Sequence, residues 1–275
     1  MRPVRVVLGA LALGVVMVAG IGSFGAGSDE PRLVWSDEFD GRAGELPDGR
    51  KWNLETIGQT SGNGELQCYT DVPDNAATDG NGHLVITAHR DPGHYCTDGS
   101  QNDYTSARLN TIDKHVWKHG RFEIRAKVPD GVGTWPAFWA VGEDYPEVGW
   151  PESGELDVME VIGADITNLI GTVHFPDEQG ERVFLQASTD LPAPLSEDFH
   201  VYAMEWDEDA IVWSLDGEEY GRVTRTEVEE LGDWVLDDEF YLILNLAIGG
   251  VYGGPVGADT VFPQEFVVDY VRVYR

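Results

Sequence analysis

Three carboxylates stand close together in an otherwise apolar stretch, GELDVMEVIG, Gly154 to Gly163. Leu156, Val158, Met159, Val161 and Ile162 read as a buried strand, which Glu155, Asp157 and Glu160 interrupt. Alternate residues of a strand share a face, so Glu155 and Asp157 point the same way while Glu160 does not. One extra residue near Val158–Met159, a β-bulge, turns Glu160 onto the face of the other two, and bulges re-aim side chains beside functional sites. The alternative is an exposed polar face with Glu160 at a frayed end. Acids are poor strand formers and like charges on one face repel, so three of them in this strand need a further reason. Chemistry supplies one. Neighbouring carboxylates in different environments have their pKa values driven apart; one stays ionised and attacks, the other keeps a proton and donates it.

The surrounding residues extend that chemistry. Trp135 and Trp139 lie four apart in GTWPAFWAVG, and Trp150 precedes the acidic strand in GWPESGE. Indole rings on an open sheet face are platforms for the apolar faces of sugar rings; for Trp139, inside AFWAV, core filling is the alternative. His174 closes the run IGTVHFP, where it orients or protonates a carboxylate, or else is an internally satisfied histidine.

The elements that must hold these groups are strands. GRFEIRAKV alternates strictly, with Phe122, Ile124, Ala126 and Val128 on one face and Arg121, Glu123, Arg125 and Lys127 on the other. HLVITAHR, FHVYAMEW, AIVWSLDG, EFYLILNLAIGG and EFVVDYVRVYR are similar β-branched and aromatic runs, separated by turn signals. Asp216-Gly217 sits between two such flanks as in a hairpin, and TRTEVEEL reads as one short helix. LVWSDEF and FVVDYVRVYR open and close the domain, so pairing them into the sheets ties both ends down. The whole reads as all-β, one antiparallel β-sandwich of roughly a dozen strands with no second domain. Carboxylate pair, histidine, tryptophans and sheet together point to hydrolysis of a glycosidic bond.

Composition sets limits. A formal charge of -31 over 275 residues argues against nucleic acid and anionic membranes as partners. MRPVR followed by the apolar run Val6–Gly22 reads as a secretory signal peptide, residues 1–27, with the catalytic domain at 28–275. Cleavage falls within about Gly22 to Ser28, and an uncleaved anchor is the alternative. The 2 cysteines, Cys68 and Cys96, form no zinc motif, and a single disulfide is expected of an exported chain.

GELDVMEVIG resembles the E-x-D-x-x-E signature of glycoside hydrolase family 16, in its laminarinase branch of β-jelly-roll endoglucanases. ELQCYT, YTSARLNT, GTVHFP, HVYAMEW, LNLAIGG and DYVRVYR are similar to its other blocks, in order from about Leu33 to Arg275. The resemblance implies a jelly roll with a concave substrate cleft and a secreted, retaining endo-β-1,3-glucanase, monomeric, acting on β-glucan without a catalytic cofactor. Glu155 is then the nucleophile, Glu160 the acid/base, Asp157 the group that holds Glu155 and helps move the proton, and His174 their neighbour. Arg108 and Asn63 match polar positions lining the cleft, beside Trp135, Trp139 and Trp150; Gly64 departs from the usual second asparagine, and Arg108 has a structural ion pair as its alternative. Asn245 faces the cleft or is bonded internally. Asp269 is expected to share a face with Val267, Val271 and Val273. It matches the aspartate of a structural calcium site, with backbone carbonyls of Glu38 and Gly82; a salt bridge is the other reading. Two further readings compete: a non-catalytic β-glucan-binding protein, and the same fold acting on mixed-linkage glucan or a galactan. Lichenase-type sites lack the extra residue that Met159 supplies.

Overall fold

The computed structural model describes residues 31–58 and 63–275, so the expected signal peptide lies outside the described residues. Two sheets face one another. The first has seven strands, ordered Arg182–Asp190, Asn168–Pro176, Glu155–Val161, Thr134–Gly142, Phe240–Ile248, Arg108–Asn110 and Asn53–Leu54. The second has ten and is centred on Gly120–Lys127 and Gln264–Tyr274. Between them lies one core, to which alternation along each strand contributes every second residue. Phe138, Leu156, Val173 and Leu244 come from the first sheet, Phe122, Ile124, Met204 and Val271 from the second. Each such side chain taken from water contributes roughly 1.5–3 kcal/mol before the entropy of ordering it is set against it.

The described chain has 17 strands rather than a dozen. The surplus is short: Asn53–Leu54, Ala76–Thr78 and Arg108–Asn110 are too brief to show a period in sequence. One pair, Gln67–Tyr69 with Gln101–Ser106, is parallel. The disulfide Cys68–Cys96, Cα atoms 5.3 Å apart, ties the first of these strands to the turn that leads into the second. Leu33–Asp37 and Gln264–Tyr274 pair with each other, and Arg32 and Arg275 exchange backbone hydrogen bonds at the very end. The hairpin at Asp216-Gly217 has both residues at positive φ, 51° and 88°, as a tight two-residue turn requires. The short helix is Arg225–Glu229, opened by a capping box between Thr224 and Glu227.

Candidate active site

The acidic strand carries the expected bulge. Asp157 is opposite Thr172 on one side and Trp139 on the other, but the next cross-strand partners fall out of step by Glu160, which is opposite Ile170 and Ala137. Val158 and Met159, successive residues, are both buried in the core between the sheets. Glu155, Asp157 and Glu160 therefore line one cleft on the outer face of the seven-stranded sheet. The strand begins at Gly154, whose φ of 70° turns the chain into it.

The bulge is held from behind. Trp213, on a strand of the opposite sheet, donates its indole N–H to the Asp157 carbonyl at 2.8 Å. That carbonyl sits where the ladder is out of register, so the bond satisfies a buried acceptor. Gly171 makes room for the ring: a Cβ there would lie 2.5 Å from Trp213.

Within the cleft the acids differ in their donors. His174 Nε2 lies 3.1 Å from Asp157 Oδ2 and 3.5 Å from Glu155 Oε1. Trp135 Nε1 donates to Glu160 Oε1 at 2.9 Å, and the Trp150 side chain hydrogen-bonds Glu155. Burial pushes Glu155 up to about 8, with the Asp157 charge adding to it. Glu160 is also raised to about 8, by burial first and Asp157 second. Burial raises Asp157 to about 7, opposed by its hydrogen bond with Glu155. His174 is lowered to about 4 by burial, so it is neutral beside the acids. Three close carboxyls away from water cannot all ionise, and they titrate as a set. Near neutrality the set keeps a proton to give and can release another to free a nucleophile.

The remaining expectations fall on the same cleft. Trp139 is half-buried with the Arg108 guanidinium over its face at 4.9 Å, and its N–H donates to Asn245 Oδ1 at 2.8 Å. Asn245 in turn donates to Tyr69 Oη at 3.2 Å, so it both lines the cleft and is bonded internally. Arg108 likewise fits both readings, lining the cleft and pairing with Glu55 at 3.1 Å. Asn63 is on the rim, with Nδ2 3.4 Å from Glu65 Oε1. Trp150 is exposed at the mouth.

Sequence reasoning missed Arg182, Tyr252, Tyr69 and Tyr241, all of which line the cleft. Tyr252 stacks on Trp135 at 5.4 Å, and Arg182 donates to His174 Nδ1 at 3.1 Å. RVFLQAS alternates as an edge strand does, and nothing in that pattern shows what lies across from Arg182.

The calcium expectation is not supported, and the salt-bridge alternative at Asp269 is what the structure shows. A second bulge, between Val268 and Tyr270, resets the face of the last strand. Val268, Val271 and Val273 point into the core, whereas Asp269 turns outward and pairs with Arg125. Glu38 is held through its carboxylate by Arg272 at 2.8 Å. Gly82 does lie near the Glu38 carbonyl, but a guanidinium already neutralises the carboxylate that a Ca²⁺ would need, so these residues do not fit the ion. The closest gathering of metal-ligand types among the described residues is Glu155, Asp157 and His174, the cluster just described.

The model of glycosyl hydrolases family 16 matches residues 65–255. The chain belongs to this family. A β-glucanase of Rhodothermus marinus is 42% identical over 254 residues, covering 88% of this chain and 85% of the relative. A glucan endo-1,3-β-glucosidase of Cryptopygus antarcticus is 38% identical, covering 87% of this chain and 90% of the relative. The laminarinase catalytic domain of Thermotoga maritima superposes with a TM-score of 0.81 at 42% identity, covering 90% of this chain and 99% of that one. This family 16 chain is thus a glycoside hydrolase of the glucanase group, and glucanases of the family need no cofactor for catalysis. The fold is the jelly-roll sandwich of its laminarinase neighbours.

Proposed function

We propose that the protein is a secreted, monomeric endo-β-1,3-glucanase that cuts internal bonds of laminarin-like glucan with retention of configuration. The observation that carries the reading is the bulge at Val158–Met159, which brings Glu160 onto the cleft face of Glu155 and Asp157. Glu155 attacks the anomeric carbon while Glu160 gives its proton to the leaving oxygen. Glu160 then takes a proton from water, which displaces the sugar from Glu155. Asp157 accepts from His174 and shares a hydrogen bond with Glu155, so it takes up the proton that Glu155 must lose to attack. Trp135, Trp139 and Trp150 offer ring faces to the sugars on either side. Export is supported by the basic and apolar order of residues 1–27 and agrees with the Cys68–Cys96 disulfide.

The test is reducing-sugar release from laminarin, lichenan and agarose by wild type and Glu155→Gln. Release greatest on laminarin, and reduced at least about 10³-fold by the substitution, is expected. Preference for agarose, or full activity in the variant, would overturn the substrate class or the nucleophile respectively.

A further inference from the structure

His174 needs a specific tautomer to serve Asp157, and the structure contains a residue that imposes one. Arg182 opens the edge strand Arg182–Asp190, opposite Pro176 and two residues before Phe184, the cross-strand partner of His174. Its Nε donates to His174 Nδ1 at 3.1 Å. A guanidinium has donors and no acceptor. Nδ1 must therefore present its lone pair, and the single proton of a neutral imidazole must sit on Nε2. That proton faces Asp157 Oδ2 at 3.1 Å.

The same side chain reaches the supports of both glutamates. Its guanidinium lies over Phe184 at 4.7 Å and over Trp150 at 5.5 Å, and Trp150 is bonded to Glu155. It is also hydrogen-bonded to Tyr252, which stacks on Trp135, the donor to Glu160. Around His174 stand Glu155 and Asp157 on its neighbouring strand, the rings of Trp150 and Phe184 at 6.0 and 5.8 Å, and Arg182. Among these described groups Arg182 is the cation, and a cation at this place opposes a charged imidazole and favours ionised carboxyls.

We propose that Arg182 is a positioning residue that locks His174 in its Nε2–H tautomer and so holds Asp157 as the acceptor of the carboxylate set. Nothing in the bland role of an edge-strand arginine requires this. The kinetic part of the test rests on the glucanase reading; the tautomer part does not.

The experiment compares wild type with Arg182→Met by ¹⁵N NMR of His174 and by the pH dependence of kcat/KM on laminarin. In wild type His174 is expected as the Nε2–H form. In Arg182→Met the tautomers mix and the titration midpoint of His174 rises. The basic limb of the profile, set by the Glu160 proton, moves up by at least about 0.5 pH units because a lowering charge is gone. The kcat falls roughly tenfold with little change in KM. A folded Arg182→Met with the wild-type tautomer and unmoved limbs would overturn the proposal even if kcat fell, since a packing role predicts that combination. If that variant does not fold, Arg182→Gln, neutral and shorter, carries the same two readings. A wild type inactive on every β-glucan would sink the glucanase reading and leave the tautomer result to decide the role of Arg182.

Discussion

At the scale of single residues, the site is a problem of placing like charges out of water. Glu155, Asp157 and Glu160 were legible because their two-then-three spacing breaks the period of an apolar strand, and no packing argument explains that. Arg182 was not, because its partner His174 lies across a hairpin and RVFLQAS alternates as any edge strand does. The raised carboxyls have a consequence for stability. Burial makes Glu160 hold its proton more tightly when folded, at about 8 against an ordinary value of 4.5. Its contribution is therefore fully present below about pH 4.5 and is lost as pH rises through about 8. Glu160→Gln removes that loss. The Tm of the variant minus that of wild type is expected to widen by at least about 3 °C between about pH 4 and pH 9. A difference that is flat with pH, or shrinks as pH rises, would show that Glu160 is not buried in this way.

At the scale of elements, the bulge does the positioning and the core does the holding. Its existence was readable from Met159, which shifts Glu160 by one residue. Its clamp was not readable, because Trp213 and Gly171 belong to two other strands in two different sheets. The same limit explains Asp269. Counting by two through FVVDYVRVY put it with Val271 and Val273, but a second bulge intervenes and no charge pattern announced it. Trp213→Phe keeps an aromatic ring in the core but removes the bond to the Asp157 carbonyl, together with part of the indole volume packed against Gly171. Leaving that buried acceptor unpaired costs about 1–3 kcal/mol. The expected outcome is a fall in kcat of about tenfold or more with KM nearly unchanged, read by steady-state kinetics on laminarin. An unaltered kcat would mean that the bulge holds its shape without the clamp.

At the scale of the whole molecule, the sandwich presents one broad sheet face, and strands far apart in sequence meet on it. Arg108, Trp139, Asn245 and Tyr69 join through a stacked guanidinium and two hydrogen bonds across three strands and the neighbouring Gln67–Tyr69 segment. Alternation and turn signals made the all-β architecture legible, and with it the place of the terminal strands in the sheets, but not that these two strands pair with each other. The short strands, the parallel pair and the tyrosines of the cleft depend on long-range contacts that carry no local period. The Cys68–Cys96 link closes a separation of 28 residues beside Tyr69, contributing about 3–4 kcal/mol in the chain-entropy model and tying down that wall of the cleft. A retaining cleavage requires the bulge to bring the two glutamates close enough across one sugar to work in turn, about 5–5.5 Å between carboxyls. Following the first turnover of laminari-oligosaccharides by ¹H NMR tests it most directly. Initial release of the β-anomer, which then mutarotates, is the expected result. Initial release of the α-anomer would mean that a water molecule stands between the carboxyls and that Glu155 is not the nucleophile.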